Sequence, residues 1–490
     1  PNGTRDTFQY YNYASLFAGF EGYNDWFGGS EWSIGFEYAR DRSESIGHNF
    51  ANKVEIQNAI DRGDLDLFNV QGLDHETWLT NTEETLQLFN HDIVYQGDND
   101  FVTLDGTFSF DLLQMKNGPV PLVVGFEYFD LAFNQKYDPE QNRGIIAGGA
   151  GGAIVESVGR DVMTFFAETV VPLASTLELN LAVRYDDYSD FGDTTNPKIS
   201  VAWRPTDNWL VRGSWGEGFK APSMLQLFEP QSEGFPLGTD YVGCANGVSP
   251  CRRWEYRALY GGNQDLLPEE SESMTAGVVW NATDDLSLEL TWYNIEFTNK
   301  VGYPGLNAMF ERERDGFYNT VNRNPDGTVD FVQLTALNLG EVKTSGIDFT
   351  AQYSLVTDQA GLFSFNLEWT RVLTYEQEVF VGEGLEDLVD FLGLPEDRAT
   401  FSLGWTLGDF QASWVTHYVG ENGRKDNTCY PSYNFGPCAE DEILLIQDAS
   451  WMHDLQVAWN APWDAQIAVG ARNLFDEDPP YTPCCRYPID

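Results

Sequence analysis

Leu177-Glu178-Leu179-Asn180-Leu181-Ala182-Val183-Arg184-Tyr185-Asp186 alternates apolar and polar side chains without a break. Successive side chains in a strand point to opposite faces, so Leu177, Leu179, Leu181, Val183 and Tyr185 share one face. Glu178, Asn180, Arg184 and Asp186 share the other. Such a strand suits an apolar medium on one side and water on the other. The pattern recurs. Ile199, Val201 and Trp203 alternate with Lys198, Ser200 and Arg204, and Arg204-Pro205-Thr206-Asp207 turns into Trp209, Val211, Gly213 and Trp215. Upstream, Val102, Leu104, Phe108 and Phe110 oppose Thr103, Asp105, Thr107 and Ser109. Lys116-Asn117-Gly118-Pro119 then turns into Val120, Leu122, Val124, Phe126 and Tyr128. Downstream, Phe363, Phe365, Leu367 and Trp369 repeat the design, as do Phe401, Leu403 and Trp405 through Gly408-Asp409 into Trp414 and Tyr418.

The whole chain yields about sixteen such strands in about eight hairpins. Short turns fall near 28–30, 116–119, 173–175, 204–207, 281–285, 355–361, 407–409 and 460–464. Long connections fall at 47–100, 134–160, 223–270, 298–336, 376–397 and 420–442. Short turns at one end and long loops at the other is the asymmetry of an outer-membrane barrel, and a soluble β-sandwich does not require it. Trp32, Trp203, Trp209, Trp280, Trp405, Trp459 and Trp463 sit beside the short turns; Tyr185, Tyr188, Tyr418 and Phe219 sit toward the long loops. Two aromatic belts mark two lipid–water interfaces. The expected fold is all-β, a transmembrane antiparallel β-barrel over 1–490. Its lumen is too wide for side chains to fill and holds water or a plug; sixteen strands by themselves suggest a porin.

Composition narrows the function. Among 490 residues, Lys plus Arg is 28 and Asp plus Glu is 76, a net charge of −48. Phosphates are repelled by such a surface, which argues against nucleic acid as a partner. Hydrophobic residues make up 42%, too many for a disordered acidic chain. No run of about 18 apolar residues occurs, which excludes a helical span and leaves strands. The chain opens in mid-pattern at Pro1, as a mature, cleaved or partial product would. No Walker loop, HExxH or GxSxG motif appears, and no carboxylates are spaced as an acid–base pair, so no enzyme is expected. No cofactor or metal site is expected either. The clusters Asp186, Asp187, Asp190, Asp193 and Asp476, Glu477, Asp478 lack calcium-loop spacing and read as solvated faces.

Several strings then stand in order. Tyr185-Asp186-Asp187-Tyr188-Ser189-Asp190-Phe191-Gly192 precedes Asn196-Pro197-Lys198. Arg212-Gly213-Ser214-Trp215-Gly216-Glu217-Gly218-Phe219-Lys220-Ala221-Pro222-Ser223 follows, and then Gly262-Asn263-Gln264-Asp265-Leu266-Leu267-Pro268-Glu269. Asn338-Leu339-Gly340, Thr344-Ser345-Gly346-Ile347-Asp348 and Ala471-Arg472-Asn473-Leu474-Phe475-Asp476 complete the series. At this spacing the chain resembles the barrel half of TonB-dependent outer-membrane receptors, specifically from about 160 to 480 and architecturally before that. The resemblance implies a barrel of roughly 22 strands around an N-terminal plug. It implies uptake of a scarce solute, of the iron–siderophore, cobalamin or glycan class, and outer-membrane lipid around the wall. Energy would come from an inner-membrane complex acting through an N-terminal box. The plug, that box, about five leading strands and the last strand are then expected to be missing from this chain. A passive porin, a surface binding protein and a soluble glycan-binding β protein are the competing readings.

Ligand contacts are expected on the long loops. Arg252, Arg253, Trp254, Tyr256, Arg257 and Tyr260 form a basic and aromatic group rare in so acidic a chain, suited to an anionic or aromatic small molecule or oligosaccharide. Arg424, Lys425, Tyr430, Tyr433 and Phe435 form a second group. The first lies beside a loop-local cysteine pair, Cys244 with Cys251, and the second around another, Cys429 with Cys438, both expected as disulfides that shape the loops. Cys484 and Cys485 are adjacent and would bond each other only with strain. Residues 51–62 and 305–315 read as short surface helices incidental to function, and Ala147–Ala153 as a mobile loop.

Overall fold

Alternating strands bounded by tight turns pair with their neighbours in sequence, and that pairing is the architecture. The computed structural model describes residues 5–26, 29–65, 87–147, 155–317, 319–391, 393–423 and 446–480. Its long strands are β1 (Thr7–Asn24), β2 (Ser30–Asn52), β3 (Asn90–Met115), β4 (Gly118–Tyr137), β5 (Val155–Ala174), β6 (Leu177–Tyr188), β7 (Gly192–Thr206) and β8 (Trp209–Lys220). They continue as β9 (Glu269–Thr283), β10 (Leu286–Thr298), β11 (Val342–Thr357), β12 (Gly361–Gln377), β13 (Asp397–Leu407), β14 (Phe410–Val419), β15 (Ser450–Ala461) and β16 (Ala465–Ala471). With two dipeptide strands they make one 18-stranded sheet in which each long strand pairs antiparallel with the next.

Register fixes the two faces. Leu179 pairs with Val201 and Leu181 with Ile199, while Asn180 pairs with Ser200, Ser200 with Ser214, and Ser214 with Thr275. Leu181, Ile199, Val201 and Val211 lie open to the medium, at 36, 45, 40 and 38% exposure. The polar row is hydrogen-bonded across strands. Asn180 Nδ2 donates to Glu168 Oε1 at 2.7 Å, and Ser214 and Thr275 share a hydroxyl bond at 2.6 Å. Glu178, Asn180, Ser200, Arg212, Ser214 and Thr275 line a shallow cavity of about 400 Å³ on that face. A sheet apolar on one face with nothing packed over it needs lipid as its second layer. No helix among the described residues is long and apolar enough to cross a membrane.

The eight short turns fall where the alternation places them. Near them, Trp209 stacks on Trp280 at 5.2 Å, Phe410 on Trp459 at 6.4 Å, and the Trp405 indole donates to Ala360 O at 2.7 Å. Two expectations are corrected. The first long connections begin later than 47 and 134, because β2, β3 and β4 continue beyond the apolar band. There both faces are polar and no alternation is left to read, as in Arg42 Nε with Asp98 at 2.8 Å. Tyr188 and Phe219 join no outer belt. They pack with Phe191 and Arg160 at the root of the 221–268 connection. The ring is not closed, as expected of a barrel lacking its leading and last strands: among the described residues β1 pairs only with β2 and β16 only with β15.

Both buried hydrophobic clusters lie in the connections and not in the sheet. Tyr256, Ala258, Leu306, Met309, Phe310, Val332, Leu334 and Phe380 form the larger, and Leu227, Leu266 and Ala336 the smaller. A four-stranded sheet of Ser232–Gly234, Ala258–Tyr260, Val329–Gln333 and Val321–Arg323 covers the larger cluster with α1 (Leu306–Asp315). This folded unit is called the cap below.

Candidate ligand-capture site

Three connections build the cap, 221–268, 299–341 and 378–396, and α1 is where they meet. Apolar Leu306, Met309 and Phe310 recur at helical spacing and are buried. Gly316 ends the helix in the left-handed conformation at φ 78°. The first connection supplies Tyr256, whose ring meets Phe310 edge-on at 5.0 Å. The third supplies Phe380, over which the Arg312 guanidinium lies at 4.0 Å while also pairing with Glu383. The helix at 305–315 is thus no incidental surface element but the hub of the cap.

The expected residues divide between surface and core. Arg252 lies over the Trp254 ring at 5.2 Å, and Trp254 is 50% exposed. Arg253 donates to Leu237 O at 3.4 Å. No carboxylate pairs with Arg252 or Arg253 among the described residues. Leu237 is exposed on the partner strand, where it pairs with Glu255 and Gly238 pairs with Trp254, and Phe235 is exposed just before that strand. Together they present an aromatic and cationic strip. Tyr256, one residue beyond Glu255, turns inward to 8% exposure. Burial raises its phenol pKa. Tyr260 is half-buried against the cluster. Arg257 is engaged with Glu233 Oε1 at 2.5 Å. The Cys244–Cys251 disulfide is present, with Cα atoms 4.9 Å apart. Arg424, Lys425, Cys429, Tyr430, Tyr433, Phe435, Cys438, Cys484, Cys485 and most of Ala147–Ala153 lie outside the described residues.

Sequence reasoning missed the polar joints. Arg323 pairs with Asp240 and Glu313 at 2.6 and 2.5 Å, and Asp240 has no exposed surface. Burial pushes the Asp240 carboxyl up, but hydrogen bonds from Arg323 and the Gly243 amide outweigh it and hold the group below the ordinary carboxylate range. Arg160 donates to Asp190 Oδ2 at 2.9 and 2.6 Å and to Pro222 O at 2.8 Å. Asp186 is fully buried and accepts from Thr164 at 2.6 Å and Arg184 at 2.9 Å. Asp186 and Asp190 are therefore paired joints and not a solvated face. Isolated Arg and Asp residues far apart in sequence carry no spacing signal; only the fold brings them together. No group of three or more His, Cys, Asp or Glu side chains suited to a metal ion occurs among the described residues.

Known proteins with a similar sequence or a similar fold place this wall in a family. The probable TonB-dependent siderophore receptor PirA of Acinetobacter baumannii is 25% identical over 187 residues, 37% of this chain and 23% of that protein. The ferrienterobactin receptor of Escherichia coli is 21% identical over 322 residues, 65% of this chain and 37% of that protein. The chain thus spans well under half the length of either. A ferric enterobactin receptor of Pseudomonas aeruginosa superposes with a TM-score of 0.58 at 16% identity, over 96% of this chain and 57% of that one. At that identity the likeness concerns the fold. The family model for the TonB-dependent receptor-like β-barrel matches residues 1–474. The chain belongs to that family, and its sheet is a wall of the Gram-negative outer membrane.

Proposed function

We propose that the chain is the barrel portion of an outer-membrane receptor that captures a scarce solute on its outer side and passes it inward at the expense of energy supplied from the inner membrane. The observation that carries this reading is the Arg252–Trp254 strip. It is an exposed ring under an unpaired guanidinium, held on a folded cap above a wall whose inner face is polar. A guanidinium stacked on indole presents positive charge and a flat apolar surface together, which suits an anionic, planar ligand. Among the relatives are proteins named for siderophores and for vitamin B12, and the flat cationic strip inclines the reading to the iron–siderophore class. Arg252, Arg253 and Trp254 then make first contact. Tyr260 flanks the contact surface and Tyr256 supports it from within; Tyr430 and Tyr433, which lie outside the described residues, are proposed as further ligand contacts. Lipid surrounds the apolar face, and the energy-coupling complex engages a plug and a box N-terminal to this barrel.

The test is uptake of labelled ferric enterobactin by cells producing the full-length receptor, with and without the inner-membrane energiser. Uptake lost without the energiser fits the receptor. Uptake continuing at full rate would leave the passive porin as the better account of the water-lined inner face. Trp254→Ala should weaken binding of that probe; unchanged binding would move the site off this strip.

A further inference from the structure

We infer that Arg323 is a positioning residue. It holds the Arg252–Trp254 strip in one orientation without touching the ligand, acting through Asp240 and the disulfide. The inference rests on the ligand-capture reading for its purpose but not for its geometry.

Arg323 has no donor left for a ligand. Its Nε donates to Glu313 Oε1 at 2.7 Å, and one Nη donates to Asp240 Oδ2 at 3.0 Å and Gly327 O at 2.9 Å. The other Nη donates to Asp240 Oδ1 at 2.6 Å and Glu313 Oε2 at 2.5 Å. A guanidinium carries five N–H groups in a fixed plane, and these five bonds use them all. The fork joins two connections: Asp240 belongs to 221–268, and Glu313 and Gly327 to 299–341.

From Asp240 the constraint runs outward. Its side chain accepts from the Gly243 amide at 2.8 Å and its carbonyl from the Cys244 amide at 2.9 Å, fixing the short helix Tyr241–Ala245. Cys244 in that helix is bonded to Cys251. Arg252 is the next residue, and Trp254 stands two beyond it. The far end of the strip is fixed separately, by the Tyr256 amide donating to Pro236 O at 3.1 Å and by the Tyr256 ring on Phe310. The strip therefore hangs between two anchors, one polar and one apolar. The Tyr256 hydroxyl of the apolar anchor has no hydrogen-bond partner among the described residues, but it is buried, so neither anchor presents the ligand an exposed free group. Removing the arginine would leave two carboxylates facing each other under the cap, which drives that joint apart.

The experiment uses the full-length receptor purified in detergent micelles, with ferric enterobactin as probe. Arg323→Gln should raise amide exchange across 241–256 and speed reduction of the Cys244–Cys251 bond, while exchange in β5 to β10 stays as in the wild type. If the strip then holds its binding orientation about a tenth of the time, the apparent affinity falls about tenfold. In a background carrying Arg252→Ala, Arg253→Ala and Trp254→Ala together, the same substitution should cost no further affinity. Arg323→Lys keeps the charge but not the planar fork; it should fold even where the glutamine does not, and should show the same localised rise in exchange. Unchanged exchange across 241–256 in both variants overturns the inference. So does a full tenfold loss on top of that triple substitution, since Arg323 would then act elsewhere. If Trp254→Ala leaves probe binding intact, the ligand-capture reading fails alone, and exchange and bond reduction still judge Arg323.

Discussion

Leu181→Arg tests the wall most directly, because its cost can be placed by depth. Strand rise is about 3.3 Å per residue, and a tilt near 40° leaves about 2.5 Å of height per residue. Leu177 pairs with Trp203 at the short-turn interface, and Tyr185 pairs with Thr195 toward the other. Those eight steps span about 20 Å, close to the height of about 25 Å expected for an apolar band. Leu181, paired with Ile199, falls halfway and faces outward. An arginine there should cost about 2–4 kcal/mol, falling to about 0–1 kcal/mol at Leu177 and lying between at Leu179. Asn180→Arg is the control. It lies one residue from Leu181 on the polar face beside Glu168, and should cost within about 0.5 kcal/mol of nothing. The assay is reversible urea unfolding of the full-length receptor in lipid, with the folded fraction read from its heat-modifiable gel band. Equal costs for Leu181→Arg and Asn180→Arg, or a flat profile from Leu177 to Leu181, would refute the assignment of faces.

The disulfide makes a second prediction. Cys251→Ser should lower the local stability of 241–256 by about 2–3 kcal/mol on the chain-closure estimate, measured by hydrogen exchange. Acid makes a third. Asp240 titrates lower in the fold than in the open chain, so its stabilisation is complete above the ordinary carboxylate pKa of about 3.9 and is lost as pH falls below it. Protection of the cap should therefore be level from pH 8 to 5 and should fall in stronger acid; loss already at pH 6 would contradict this. Arg160→Gln is the fourth. It leaves Asp190 unpaired at a nearly buried joint and should raise exchange at 221–229 more than in β6; a uniform rise along the wall would contradict the local role.

What the sequence revealed follows from how the solvent on each side writes itself into the chain. Where lipid meets one face and water the other, as from Leu177 to Tyr185, the period of two is forced and can be read residue by residue. Where both faces are wet, as from Arg40 to Asn52, the strand persists on backbone pairing and cross-strand polar pairs such as Arg42 with Asp98, and the pattern disappears. The loop-local cysteines placed Cys244–Cys251 correctly, because a separation of 7 limits the choices. The cap was not legible. Its core joins Tyr256, Phe310 and Phe380 across three connections, and its polar joints pair residues 83 positions apart, as in Arg323 with Asp240. Tyr256 shows the limit: in composition it matches Trp254, and only the fold turns one inward and leaves the other exposed.

The wide sequence separation within the cap core also sets a schedule. Every neighbouring strand pair of the wall can form once a hairpin is complete, but the cluster around Phe310 requires Tyr256 from one connection and Phe380 from another. Loop closure over such spans is rewarded only when the intervening strands are already in register. The capture face is thus assembled only after β8 to β12 have come into register. A receptor stalled in mid-insertion displays its wall to lipid but has no finished surface with which to seize a ligand.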